Sequence, residues 1–107
     1  MATFGEFIRT KREEKEMTQD RLSKLLDIPY TDVSHIECGR KKFKFNKLPE
    51  LANILEVDLQ ELKDLYGANI MLEQMKKYEC SDKVFEVAEQ QIRYNRSKNV
   101  KQGNLKF

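Results

Sequence analysis

Glycine occurs four times and proline twice in 107 residues, too seldom for a β-sandwich that needs a turn about every ten residues. Cysteine is as scarce. Cys38 and Cys80 stand without CxxC spacing, so neither a zinc site nor a disulfide scaffold is indicated, and both read as free thiols. No apolar run approaches the ~20 residues needed to cross a bilayer. Arg9, Lys11 and Arg12 interrupt the first helix-like stretch where a secretory leader would be apolar. The lone histidine, His35, has no phosphate-cradling glycine loop or carboxylate cluster beside it, so a catalytic or metal site is not expected. These absences predict a soluble, cytoplasmic, mostly helical protein with no cofactor, no small-molecule ligand and no membrane partner.

The length fits about one domain and not two independent cores. Hydrophobic residues make up 39% of the chain and charged residues 36%, as in small helical domains with large exposed faces. The net charge of +2, from 20 basic and 18 acidic residues, says little by its sum. Its distribution says more. No acid lies between Glu37 and Glu50, while Arg40, Lys41, Lys42, Lys44 and Lys47 crowd together; none follows Glu89, where Arg93, Arg96, Lys98, Lys101 and Lys106 make a second basic patch.

Apolar spacing and cap residues predict the helices. A first amphipathic helix starts near Thr3 with Phe4 and Ile8 inward, and Thr18 caps a second with Leu22, Leu25 and Leu26 on its apolar face. Asp27-Ile28-Pro29 ends that helix after two turns. The third helix turns Val33 and Ile36 inward and Tyr30, Thr31, Asp32, Ser34 and His35 outward, and Gly39 stops it. A fourth begins at Asn46 with Pro49 in its first turn, and Asp58 and Glu61 open a fifth in a capping-box-like pattern. Gly67 marks a boundary. Beyond it a sixth helix carries Ile70, Met71, Met75 and Tyr78, and Ser81 caps a seventh carrying Val84, Phe85, Ala88 and Ile92. The expected division is 1–67, 68–97 and a flexible basic tail over 98–107.

Two short helices joined by a tight turn, the second outwardly polar and followed by bases, suit helix-turn-helix DNA reading. The second helix must fit a major groove about 12 Å wide, with a small apolar inner face and hydrogen-bonding groups outside. Thr18-Gln19-x-x-Leu22, Ile28, and Val33-Ser34-x-Ile36-Glu37-x-Gly39-Arg40 meet both requirements. Arg40, Lys41, Lys42 and Lys44 are the candidate phosphate contacts, with a merely solvated loop as the alternative. Tyr30 either meets DNA or packs its ring on the second helix.

On these residues the chain resembles the Cro/phage-repressor (Xre) class of helix-turn-helix proteins over residues 3–66. The resemblance implies a five-helix, lambda-repressor-like domain in an all-α fold. It further implies that Gln19 binds a phosphate and that Tyr30, Thr31, Asp32 and His35 face base edges or nearby phosphates. On the same resemblance Cys38, Gly39, Arg40 and Lys42 are expected along the DNA backbone, and Arg12 and Glu37 match a pair that forms a structural salt bridge between the first and third helices. Asp27 stands where the class has a turn glycine, Ser23 where it has alanine, and Pro29 where a capping serine is common. The two-helix extension, with Lys83-Val-Phe-Glu-Val-Ala-Glu-Gln-Gln-Ile92, resembles a narrower group, the controllers of restriction-modification genes.

One short helix reads only a few base pairs, so a homodimer on a two-fold symmetric operator is expected. The surplus apolar positions Met71, Met75, Val84, Phe85, Ala88 and Ile92 are the candidate dimer contacts. A phage-type or developmental repressor, or an antitoxin or adaptor of the same fold, are the alternative roles.

Overall fold

The computed structural model describes residues 2–102, with side chains through Lys98, and these residues form helices and connecting turns only. The α-helices are α1 (Phe4–Glu14), α2 (Gln19–Leu26), α3 (Tyr30–Glu37), α4 (Leu48–Leu55), α5 (Leu59–Lys77) and α6 (Val84–Gln102), with a 3-10 turn over Phe45–Lys47 ahead of α4. The chain divides into two units, Met1–Ile70 and Met71–Phe107.

Helix starts follow the cap residues. The Thr3 hydroxyl accepts from the Glu6 N–H while the Glu6 carboxylate accepts from the Thr3 N–H, a reciprocal capping box, both bonds at 3.2 Å. Thr18 accepts from the Arg21 N–H at 3.0 Å and Asp58 from the Glu61 N–H at 2.9 Å. Pro49 sits in the first turn of α4, where its missing N–H costs nothing.

The ends of α1 to α5 share one device, and only one of them uses glycine. Glu16, Asp27, Glu56 and Glu79 hold the left-handed conformation, as Gly39 does. In each case the next N–H reaches back five residues. Met17 donates to Arg12 O (3.0 Å), Ile28 to Ser23 O (3.0 Å), Arg40 to His35 O (2.8 Å), Val57 to Ala52 O (3.0 Å) and Cys80 to Met75 O (2.9 Å). This is the 6→1 bond of the Schellman motif, which satisfies a carbonyl that the helix end orphans. Met17, Ile28 and Val57 also pack against the core. Their apolar contact offsets the roughly 1–2 kcal/mol that a left-handed L-residue costs.

The core comprises Phe4 and Ile8 of α1, Leu22 and Leu26 of α2, Val33 and Ile36 of α3, Phe43, Leu48, Leu51, Ala52 and Leu55 of the loop and α4, and Leu62 and Tyr66 of α5. All lie in the first unit. In the second unit no described side chain is buried; Met75, Val84, Ala88 and Ile92 are half-buried and the rest exposed.

The structure differs from the sequence expectation at Gly67, where a boundary between two helices was expected. α5 passes through without interruption. A Cβ at Gly67 would meet nothing within 4 Å, so no close contact demands a glycine turn there. The penalty of about 1 kcal/mol for a helical glycine is small beside an unbroken hydrogen-bond ladder. Two short predicted helices are therefore one of 19 residues. α6 likewise continues into the stretch read as a tail, to Gln102; residues 103–107 of that tail, Lys106 among them, lie outside the described residues.

Candidate nucleic-acid interface

α2, the turn through Asp27 and α3 form a helix-turn-helix. Asp27 takes φ 56° and ψ 49°, the conformation usually filled by glycine and tolerated by Asp. Pro29 begins α3 without a side-chain cap, in extended conformation at φ −60°. Ser23, buried where α2 meets α3, donates its hydroxyl to Asp20 O at 2.6 Å, so a polar group in the packing costs no unpaired donor.

Val33, Ile36 and Glu37 are the buried side of α3. Thr31 and His35, one turn apart, are exposed on the opposite side, with Cys38 next along it. Ser34 and Asp32 are half-buried on the flanks. Tyr30 is 53% exposed.

A buried ionic frame sets the angle of α3. Arg12 of α1 donates from Nε to Glu37 Oε2 at 2.7 Å and from Nη2 to Glu37 Oε1 at 3.0 Å, a bidentate pair. Its Nη1 donates to Met17 O at 2.7 Å. The two residues are 8% and 6% exposed, and the hydrogen bonds that Arg12 donates to Glu37 raise its pKa. Gln19 joins the frame by donating Nε2–H to Glu37 Oε1 at 3.0 Å, so the residue expected at a phosphate is also held by the salt bridge. The sequence reading overlooked Gly5, on which this frame depends. A Cβ there would lie 2.5 Å from the carbonyl oxygens of Ile36 and Glu37, so only glycine lets α1 approach the end of α3 this closely. A glycine inside an amphipathic helix was the available signal, because a helix interior disfavours it unless packing requires it.

The basic loop leaves α3 through Gly39 at φ 80°. Phe43 is buried, with its ring 6.0 Å from Phe4. Phe4 in turn packs edge-on to Tyr66 at 5.2 Å, and the Tyr66 hydroxyl donates to Phe43 O. Anchored there, the loop leaves Arg40, Lys41, Lys42 and Lys44 exposed. Lys47 is different. Its ammonium donates to Leu26 O at 2.8 Å and lies 3.9 Å from Glu50, so this base caps the end of α2 and ties the loop to the turn. Among the described residues no cluster could hold a metal, and no helix is long and apolar enough to cross a membrane.

The candidate dimer contacts lie in the second unit. Val84, Ala88 and Ile92 recur at helical spacing along α6 and are half-buried, as is Met75, whereas Met71 and Phe85 are exposed at 48% and 43%.

A family model described as a helix-turn-helix domain matches residues 5–68. Among solved structures, the chain is similar to the crystal structure of the restriction-modification controller protein C.AhdI from Aeromonas hydrophila. The two are 27% identical with a TM-score of 0.51, over 55% of this chain and 89% of that one. Comparison with curated proteins found no match.

Proposed function

The chain belongs to the helix-turn-helix domain family, whose model takes in more than half of it, and from that premise we propose that it is a sequence-specific DNA-binding transcription regulator. It acts as a homodimer on a two-fold symmetric operator and controls restriction-modification genes. The controller role rests on the likeness to C.AhdI, itself a restriction-modification controller.

One observation carries the DNA-binding reading: exposed Thr31 and His35 on α3 run directly into an exposed basic loop on a rigid frame. α3 enters the major groove, where Thr31 and His35 meet base edges and Tyr30 and Ser34 sit at its margins. Arg40, Lys42 and Lys44 neutralise phosphates along one strand, and Gln19 offers its second amide hydrogen to another. Phosphate contacts give affinity without sequence information, and base contacts give the choice of site. Two copies double the length of sequence read.

Footprinting on the DNA upstream of the protein's own coding sequence tests this, followed by point variants. Arg40→Ala and Lys42→Ala should weaken binding to operator and random duplex alike, each reducing the salt slope by about one. Thr31→Ala and His35→Ala should erode preference at particular operator positions, by about 1–3 kcal/mol of discrimination, while random-duplex binding persists. No footprint, with equal affinity for all duplexes, would remove the regulator reading.

A further inference from the structure

Besides the buried Glu37, the recognition-helix candidate carries one acid, and the structure gives it a partner within the basic loop. Asp32 lies in the first turn of α3, and its Oδ2 is 2.8 Å from Lys41 Nζ. The end of α3 produces this meeting. Gly39 donates to Ile36 O at 3.1 Å, and Arg40 and Lys41 both donate to His35 O at 2.8 and 3.3 Å, so the chain doubles back beside the helix. The Lys41 backbone is thereby held at the last turn of α3, from which its side chain reaches back to Asp32. The Asp32 side chain is 21% exposed and that of Lys41 50%, so the lysine keeps access to solvent while the carboxylate is largely covered.

From this geometry we infer that Asp32 determines specificity through Lys41, as an internal counter-anion. The inference rests on α3 being the recognition helix. A surface ion pair contributes little net stability and is weak enough to exchange for a phosphate. Two consequences follow when DNA arrives. While Asp32 holds Lys41, that lysine displaces little of the counterion atmosphere and adds little to sequence-independent affinity, which comes from phosphate neutralisation. When Lys41 turns to a phosphate, Asp32 is left as an unpaired carboxylate facing a polyanion. In the major groove a cytosine amino group is a base-edge donor that a carboxylate can accept from. A site with cytosine at that position lets both groups be satisfied, and another base leaves one of them unpaired. The pair therefore couples base identity to a backbone contact. It suppresses binding to the wrong sequence as well as favouring the right one, a use of repulsion in specificity.

The test is a cycle of Asp32→Asn, Lys41→Gln and the double variant, in the full chain. Each is titrated with a random-sequence duplex between about 200 and 50 mM salt, and each is used to enrich bound duplexes from a randomised pool. Asp32→Asn should bind random duplex more tightly than the parent, with a salt slope steeper by about one, so its advantage grows about threefold across that range. In the Lys41→Gln background the same change should do neither. Enrichment by Asp32→Asn should lose a cytosine preference that the parent shows. An equal gain in both backgrounds would reduce Asp32 to a general negative field, and no gain would make the pair idle; either overturns the inference. An unaltered base preference would overturn the reading of cytosine. A parent chain that binds no duplex at low salt would instead strike at the DNA-binding reading itself.

Discussion

The two units of this chain have similar helical content and opposite interiors. The first closes a core from α1 to Tyr66, whereas the second, containing the 19-residue α6, buries no described side chain. Helical structure alone contributes little in water, because most helix stability in proteins comes from packing an apolar face. The first unit meets that need internally. The second presents Met71, Leu72, Tyr78, Phe85, Val87 and Tyr94 to solvent, each 43% exposed or more, beside the half-buried row on α6. Exposed apolar surface of this kind on a small protein marks an association site. Under the proposed function the contrast becomes a division of labour: the self-sufficient unit is assigned the groups that meet DNA, and the insufficient one the recruitment of a second copy.

The strongest way to break this contrast is to attack the frame of the first unit. Arg12→Ala leaves Glu37 as a buried carboxylate without its bidentate partner, a loss on the order of 3 kcal/mol. Thermal melting should fall accordingly, with DNA binding recoverable at low temperature. An unchanged melting point with binding abolished would make Arg12 a DNA contact instead.

The glycines sharpen the contrast by giving effects of opposite sign. Gly5→Ala drives a methyl against two backbone carbonyls, which no rotamer change relieves, and should destabilise by about 1–3 kcal/mol. Gly67→Ala meets nothing and sits within α5, so it should stabilise by about 0.5–1 kcal/mol. Denaturant midpoints of the two variants decide both, and the same sign for both would refute the packing described.

The smallest expected effect is acid sensitivity at the rim of the first unit. Hydrogen bonds from Thr3 lower the Glu6 pKa, and the hydrogen bond and charge of Lys15 lower that of Glu56. A carboxylate whose pKa is depressed by folding contributes stability above its unfolded pKa and loses it as pH falls through the folded one. Stability should therefore decline below the ordinary carboxylate range, and Glu6→Gln with Glu56→Gln should flatten that decline slightly. Both groups are exposed, so the change is a shallow one in the acid limb of the denaturant midpoint.

Much of the first unit was legible because its signals are local. Thr3, Thr18 and Asp58 cap helices through bonds to residues three positions on, and Val33 and Ile36 follow helical periodicity. The stops were harder to read. Glycine was the expected signal, yet Glu16, Glu56 and Glu79 end helices in the left-handed conformation, made tolerable by the 6→1 bonds. The readable trace for the first two was the apolar Met17 or Val57 that follows and packs inward. Contacts between separate segments left little trace: none for Lys47 on Leu26 O or Lys41 on Asp32, and for the close approach of α1 only the glycine at position 5 inside a helix. The outward residues of α3 could be named from the pattern, but which of them pairs with the basic loop could not.

The division of labour is tested most directly by measuring how much a second half-site adds to binding. The full chain and a chain ending at Ile70, which keeps the residue packed on the core, are each titrated onto duplexes carrying one or two half-sites of the footprinted operator. The full chain should prefer the two-site duplex by about a hundredfold or more, since the second contact becomes intramolecular. The shortened chain should fold, bind one half-site as the full chain does, and show almost no preference for two. An equal two-site preference for both chains would contradict the account, because pairing would then reside in the first unit.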